Sequence, residues 1–466
     1  MAEVVQLRSC IFLLLMLLQR VVIAMPCDPP TVVITGIALQ GNHDTKAQVL
    51  LQELTFASGD TVATNELEPL LEDNRKRLFN LRLFHSVSYT YTCLQGQVLV
   101  TYLVQERYYL YPIPIFDFAD RNFNAWLEKE DWSRIDYGLN LVKRNFRGRN
   151  EDVRLKVQRG FNRWLELVYR VPYISRNNKL GIEVGAFDYR SRTINYTNRQ
   201  NRQVFYEQEQ GLPIRRTSFA AALLHRQSVQ RQEALTLAYH TESISDTVAR
   251  LNPAYYGNGM RERQYLRLEV SKVINLRNTF AYLLSGSYFE AAVGQTFFLH
   301  NSGSPYTTIR AKYVDYAKLS AKLYYTIGAE GQLRLARHYA FADNAALGFR
   351  SLVRGYELYV VGGQHYALFK QGLSRLLVDI KSIRLTFINN PKFNSIPLAV
   401  YLNAFTDAGY VADKTFAQYN PLANRLLAGG GLGLHVVTFY DIVLRMEYAI
   451  NREGDSGLYF GGRFPF

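Results

Sequence analysis

Apolar and polar residues alternate with a period of two along most of this chain, from about residue 109 to the C-terminus. Near that end, Leu444 and Met446 alternate with Arg445 and Glu447. Alternation in segments of about ten residues is typical of strands that form a membrane barrel, with one face toward lipid and the other toward water. Sixteen such strands are predicted, at 109–118, 135–144, 152–160, 163–173, 179–190, 216–227, 232–244, 264–276, 279–292, 306–318, 321–334, 373–387, 397–411, 424–438, 441–450 and 457–466.

The connections between these strands alternate between short and long. The short ones include 145–149, 277–278 and 439–440, and the long ones include 191–215, 245–263 and 335–372. An even number of strands returns the C-terminus to the side on which the first strand begins, as an outer-membrane barrel requires. A soluble β-sandwich is the alternative, but a sandwich does not require long and short connections in strict alternation.

The N-terminal part of the chain has a different pattern. Residues 1–24 contain a short apolar run followed by small residues, which predicts a signal peptide cleaved after Ala24. Residues 25–107 follow the order strand, helix, helix, strand, strand, and Thr45 with Gln48 resembles a capping box at the start of the first helix. We expect a small α+β domain with a single core.

The composition excludes several classes of protein. Hydrophobic residues make up 48% of the chain and charged residues 20%, which excludes a disordered chain. No apolar run of about 20 residues follows the N-terminus, so a helical membrane protein is excluded as well. The net charge of +14 favours anionic surfaces, and we expect outer-membrane lipid and lipopolysaccharide as neighbours rather than nucleic acid.

Two cysteines remain after removal of the predicted signal peptide, Cys27 and Cys93. An exported protein folds in an oxidising compartment, where two cysteines of one small domain can form a disulfide bond. The sequence leaves open whether they pair or remain two free thiols.

Three short motifs occur in order along the chain. They are NFRGRN at 145–150, VRGYE at Val353, Arg354, Gly355, Tyr356 and Glu357, and FTDAG at 405–409, with Phe405, Asp407 and Gly409. With these motifs the chain resembles the BamA/TamA family of outer-membrane assembly factors, including the D15 surface-antigen type. The small domain at 25–107 resembles a POTRA domain, so the resemblance covers nearly the whole chain after the signal peptide.

The resemblance implies a membrane all-β fold in which one small α+β POTRA domain precedes a 16-stranded transmembrane β-barrel at 108–466. It places the barrel in the bacterial outer membrane and the POTRA domain in the periplasm. It also implies that the long loop six at 335–372 folds back into the barrel lumen. A charge-assisted contact between Arg354 of this loop and lumen-facing Asp407 is expected to hold it there, with Asp379 as a third member.

Prolines mark the two ends of the predicted barrel. Pro112 and Pro114 remove two amide donors from one edge of the first strand, and Pro465 removes another from the last strand, which ends at Phe466. This pattern predicts a weakly bonded seam that opens to admit a client strand. The alternative is that Pro112 and Pro114 lie in a linker before the barrel.

The predicted function is that of a non-enzymatic assembly or translocation factor. It would capture unfolded outer-membrane proteins or secreted polypeptide by β-augmentation of the POTRA domain, with accessory lipoproteins as further partners. No G-x-S-x-G, P-loop or H-E-x-x-H motif occurs, and we expect no cofactor and no metal. The alternatives are a two-partner-type polypeptide secretion pore and a passive porin-like or lipid-handling barrel.

Overall fold

The computed structural model describes residues 29–120, 123–128, 130–174, 179–208, 211–228, 230–277, 284–384, 386, 395–438 and 443–462. The chain divides into two compact units. The first is Met1–Tyr108 with Arg147–Asn150, and the second is Tyr109–Phe146 with Glu151–Phe466.

The first unit is a four-stranded sheet with two helices. Its elements are β1 (Thr31–Gln40), α1 (Ala47–Leu51), β2 (Thr61–Ala63), α2 (Thr64–Phe79), β3 (Phe84–Leu94) and β4 (Gln97–Glu106). The strand order is β2-β1-β4-β3, with β1 parallel to β4 and the other two pairs antiparallel. The eleven-residue strand β3 therefore forms one edge of this sheet.

The core of this unit contains the apolar face of helix α2 and the apolar face of strand β4. Leu67, Leu71 and Leu78 recur on one face of α2 and are buried, as is the alternating set on β4 that includes Val100 and Tyr102. The Tyr102 hydroxyl donates to the Leu71 carbonyl oxygen at 3.2 Å, which satisfies the one polar atom of this buried side chain. These residues give the small domain the single core that its sequence predicts.

The expected capping box is wrong. Lys46 occupies the N-cap position of α1 and makes no side-chain cap bond. The backbone N–H of Thr45 donates to Glu106 at 2.7 Å, and its hydroxyl contacts the same carboxylate. Thr45 thus joins the start of α1 to the end of β4, a non-local contact that local spacing does not reveal.

The second unit contains a sixteen-stranded antiparallel sheet in the order β22 to β12, then β9 to β5. Its first elements are β5 (Leu110–Phe118), α3 (Phe123–Leu127), β6 (Ile135–Phe146), β7 (Glu151–Gly160), β8 (Asn162–Val171), β9 (Leu180–Ser191), β10 (Thr193–Arg199), β11 (Arg202–Glu207), β12 (Ile214–Ser228), β13 (Arg231–Ile244) and α4 (Asp246–Leu251). They are followed by β14 (Glu262–Asn275), β15 (Gly286–Leu299), β16 (Tyr306–Lys318), β17 (Leu323–Ala336), β18 (His365–Arg384), β19 (Ser395–Ala412), β20 (Leu426–Val437), β21 (Val443–Asn451) and β22 (Ser456–Gly461), with short 3₁₀ helices at Phe341–Asp343 and Ala417–Tyr419.

The two faces of the large sheet differ in polarity. On one face, Leu432, Leu444 and Leu458 leave half or more of their surface exposed. On the other, polar residues such as Asn403 and His435 are buried. We call these the outer face and the inner face. No helix in the described part of the chain has the length and apolarity needed to cross a bilayer.

Two strand boundaries and one hairpin differ from the sequence prediction. The strand expected at 279–292 is β15 at Gly286–Leu299, so the expected two-residue connection at 277–278 is wrong. The strand expected to begin at 373 begins at His365. The long connection at 191–215 contains a separate hairpin, β10 with β11, which the prediction missed.

Candidate functional site: the inner loop and the sheet edges

The segment between β17 and β18, residues 337–364, folds onto the inner face of the sheet. We call it the inner loop. Leu347 and Val361 exchange two backbone hydrogen bonds, which close it into a compact turn. Val353 and Tyr356 of the loop form one apolar cluster with strand residues that include Leu427. The packing of these apolar side chains holds the loop against the sheet.

Arg354 forms a two-pronged contact with Asp407 of β19. Its Nε donates to Oδ2 at 2.9 Å and its Nη2 to Oδ1 at 2.6 Å. The backbone N–H of Arg354 also donates to Oδ2 at 3.1 Å. The guanidinium lies over the ring of Phe405, 3.8 Å from its centroid. Arg354 is only 1% exposed, so its charge has lost its water. The hydrogen bonds to Asp407 compensate for that loss.

Further charges surround this pair. Glu447 of β21 lies 3.4 Å from Arg354 Nη1 and 3.1 Å from His435 Nε2. Arg445 also contacts Glu447, and Lys370 Nζ lies 3.7 Å from Asp407. The buried carboxylates of Asp407 and Glu447 therefore face several cationic groups, and we call these charges the anchor network.

Glycines make room for the loop on the inner face. A Cβ at Gly429 of β20 would overlap the carbonyl oxygen of Arg354. Gly355 adopts a φ of 95°, a left-handed conformation that favours glycine. Asn451 Nδ2 donates to its carbonyl oxygen at 2.9 Å, which fixes the turn after Arg354.

Glu357 closes this turn from within the loop. Its Oε2 accepts a hydrogen bond from the Gly355 N–H at 2.8 Å. Burial raises the pKa of Glu357 to about 7. A change from pH 5 to pH 8 therefore alters the charge of a group inside the inner loop.

A second contact holds the start of the loop. Arg263 of β14 donates through Nη1 to Asp343 at 2.8 Å and through Nε to Glu242 of β13 at 2.9 Å. The Tyr265 hydroxyl donates to the other Glu242 oxygen at 3.0 Å. Arg263 is 4% exposed, so it is a second buried cation that joins the loop to the strands.

The prolines at the start of the large sheet lie inside β5, which excludes the linker interpretation. Pro112 is opposite Leu141 and Pro114 is opposite Leu139 in the pairing with β6. In the same register, the Arg144 N–H donates to the Tyr109 carbonyl oxygen at 2.7 Å. Hydrogen-bonded positions alternate along an antiparallel strand, so the odd-numbered residues of β5 make the hydrogen bonds with β6. Even-numbered positions point their backbone groups to the other edge, where Pro112 and Pro114 provide no donor.

A scan of protein families matches residues 145–462 to the Omp85 superfamily domain. The chain belongs to the Omp85 superfamily. Members of this superfamily are assembly or transport proteins rather than enzymes, and this chain is an outer-membrane β-barrel protein. The resemblance predicted from the three sequence motifs is confirmed at this level. No curated protein sequence matches the chain significantly.

Solved structures show the same fold. BamA from Haemophilus ducreyi lacking POTRA domains 1–3 is 15% identical with a TM-score of 0.56, over 92% of this chain and 83% of that one. CdiB from Escherichia coli is 13% identical with a TM-score of 0.56, over 92% and 75%. CdiB from Acinetobacter baumannii is 16% identical with a TM-score of 0.51, over 93% and 74%.

The structure brings most of the predicted site residues of this Omp85 chain together. Arg354, Asp407 and Phe405 are in contact, and a Cβ at Gly409 would lie 2.6 Å from Val353 Cγ2. Asp379 does not join them. It is opposite Ala399, nine positions along β18 from the residue paired with Asp407, or roughly 30 Å away.

Four residues of the anchor network were missed as site residues, namely Lys370, His435, Arg445 and Glu447. Each of them is a polar residue at one of the alternate strand positions that face inward. This position in the two-residue pattern is the sequence signal that could identify them. Of the remaining predicted residues, Cys93 is disulfide-bonded, and Cys27, Pro465 and Phe466 lie outside the described residues. The pairing of Cys93 with Cys27 stays a prediction.

Proposed function

We propose that this Omp85 protein captures unfolded polypeptide and inserts it into the outer membrane through the edge at which β5 and β22 end the sheet. The observation that carries this proposal is the donor-poor edge of β5. Pro112 and Pro114 both fall at positions whose backbone groups point away from β6. A ladder across this edge lacks two hydrogen bonds, so it costs less to open than an ordinary strand pair.

The first unit supplies the capture step. We assign it as a periplasmic POTRA domain, in which β3 is an edge strand of eleven residues. An edge strand binds an extended chain through backbone hydrogen bonds and so reads little of its sequence. Unfolded barrel proteins, which differ in sequence and share strand-forming segments, suit such a surface. Accessory lipoproteins and lipopolysaccharide are further proposed partners.

The inner loop supplies rigidity on the inner face. Its buried contacts to β19, β20 and β21 tie together strands close to the last strand of the sheet. We propose that this brace keeps the rest of the sheet intact while the terminal edge opens. The activity is then expected to depend on Arg354 and Asp407 although neither residue touches the client.

Photocrosslinking tests where the client enters. A benzophenone side chain replaces Ile113 of β5, which is 48% exposed, or Val293 of β15, which is 51% exposed and lies far from the edge in strand order. Each protein is reconstituted in liposomes and mixed with a labelled unfolded barrel. We expect crosslinks from position 113 only. Equal crosslinking from both positions would contradict insertion at the edge.

The same preparation tests the alternatives. Delivery of a soluble polypeptide to the liposome interior, with no membrane-inserted product, would establish a secretion pore. Steady ion conductance without any crosslink to the client would establish a passive channel. Either result would overturn the proposed function.

A further inference from the structure

The side chain of Asn124, in the short helix α3, binds the backbone of the last strand of the sheet. Asn124 Nδ2 donates to the Phe460 carbonyl oxygen at 3.1 Å, and the Phe460 N–H donates to Asn124 Oδ1 at 2.8 Å. Both backbone groups of Phe460 are thus bound by one carboxamide. Asn124 is 9% exposed, so these bonds are shielded from water.

The register shows which edge of β22 this contact occupies. The Asn451 N–H donates to the Asp455 carbonyl at 2.9 Å, and these residues lie in the register that pairs Met446 with Phe460. Antiparallel ladders alternate between bonded and non-bonded pairs, so Phe460 directs its N–H and C=O away from β21. Asn124 binds the edge that an added strand would use.

A carboxamide has the same donor and acceptor as a peptide group. At Phe460 it takes the place of one residue of a neighbouring strand. An incoming strand and Asn124 therefore compete for the same N–H and C=O groups.

Aromatic packing keeps the helix in this position. The ring of Phe123 meets that of Phe460 edge-on at 6.2 Å, and Trp126 packs on Phe118 of β5 at 4.0 Å. Trp132 meets Trp126 at 5.0 Å. The helix thus contacts both the first and the last strand of the sheet.

We infer that Asn124 is a latch that closes the edge of β22 at Phe460 in the resting protein and must be displaced before an extended polypeptide can add there. The identity of that polypeptide as a client rests on the proposed function. The latch itself is a property of the chain without its client.

The test uses the full chain in detergent micelles, with Asn124→Ala compared with the wild type. Leu127→Ala is the matched control, since it shortens an exposed side chain of the same helix and leaves the Asn124 carboxamide in place. Each protein is first checked for the gel-mobility shift on heating that folded barrels show. Hydrogen exchange at the Phe460 amide is then measured by mass spectrometry. We expect exchange about tenfold faster in Asn124→Ala, as the loss of these bonds implies, and no change in Leu127→Ala.

A second arm measures binding of a fluorescent peptide with the sequence of residues 452–466, which contains the β22 segment Ser456–Gly461 and an aromatic C-terminal residue. We expect Asn124→Ala to bind this peptide about tenfold more tightly than the wild type. Unchanged exchange together with unchanged peptide binding would overturn the latch. Faster exchange in a protein that never accelerates client folding would keep the latch and refute the proposed function, so the two failures are distinguishable.

Discussion

Arg354 of the inner loop and Asp407 of β19 form two parallel charge-assisted hydrogen bonds, at 2.9 and 2.6 Å, with both side chains almost completely buried. They lie 53 positions apart in the chain. A buried pair of this kind contributes little when both partners are present, but removal of one leaves an uncompensated charge. The pair therefore determines where the loop lies more than how stable the sheet is.

Removal of the carboxylate is expected to release the loop. Asp407→Asn removes one carboxylate from the buried guanidinium and leaves it beside Glu447 at 3.4 Å, and we expect destabilisation of about 3 kcal/mol. Limited proteolysis of the folded protein in liposomes measures the release, as new cleavage within 337–364. Asp379→Asn is the matched control, because this aspartate lies far along β18, and it should leave the loop resistant. Equal cleavage in the two variants would contradict the anchoring role.

The glycine prediction compares adjacent residues on opposite faces of β20. Gly429→Ala would place a methyl group on the Arg354 carbonyl oxygen, and overpacking of this kind costs about 1–3 kcal/mol. Gly430→Ala points outward, where the nearest atoms lie 3.2 and 3.3 Å from the new Cβ, and should be tolerated. The midpoint of urea unfolding should fall only for Gly429→Ala. A larger effect at Gly430 would show that the loop does not press on this strand.

The inner loop should be held less firmly as the pH rises. Burial raises the pKa of Glu357 from 4.5 to about 7, so the folded loop favours the protonated carboxyl. The stabilising contribution is complete below pH 4.5 and is lost as the pH rises through 7. Cleavage of the loop by a protease active from pH 5 to 8 should therefore increase across this range, after correction with an unfolded substrate. Glu357→Gln should flatten the profile, and an unchanged profile would exclude Glu357 as its cause.

Restoring donors to the edge of β5 should slow client insertion. Pro112→Ala with Pro114→Ala supplies two N–H groups that point away from β6, which strengthens closure by about 1 kcal/mol per bond formed. We expect a severalfold lower rate of client folding in liposomes. Pro253→Ala, in the connection between β13 and β14, controls for the loss of a proline and should leave the rate unchanged. A double variant as fast as the wild type would exclude the edge as the barrier.

Much of the fold follows from the sequence because strand periodicity in this unit is regular. The strand expected at 306–318 matches β16, since Ile309, Ala311 and Tyr313 alternate with polar residues in its central part. The start of β15 differs because an uninterrupted apolar run at 280–284 precedes Gly286, and the prediction includes it in the strand. The β10–β11 hairpin had a signal that was overlooked, namely Gln200 and Asn201, which both adopt positive φ in its two-residue turn.

The site was harder to predict than the strands. Family motifs pointed to Arg354 and Asp407, but Glu447 lies on a different strand with no motif around it. Which lumen charges meet the loop depends on how 337–364 folds over the sheet, and local spacing does not determine that. Asp379 also carries a carboxylate, but it lies nine positions along β18 from the residue paired with Asp407. Only the strand register shows this separation. Asn124 is polar in an apolar helix and gave no local signal of its contact with Phe460.

The most direct test of the account is the rate at which the purified protein in liposomes converts an added unfolded outer-membrane barrel into its protease-resistant form. We predict that the wild type accelerates this conversion over empty liposomes. Arg354→Ala, once shown to be inserted and folded, should lose the acceleration. No acceleration by the wild type, with steady single-channel current instead, would contradict the account and establish a passive pore.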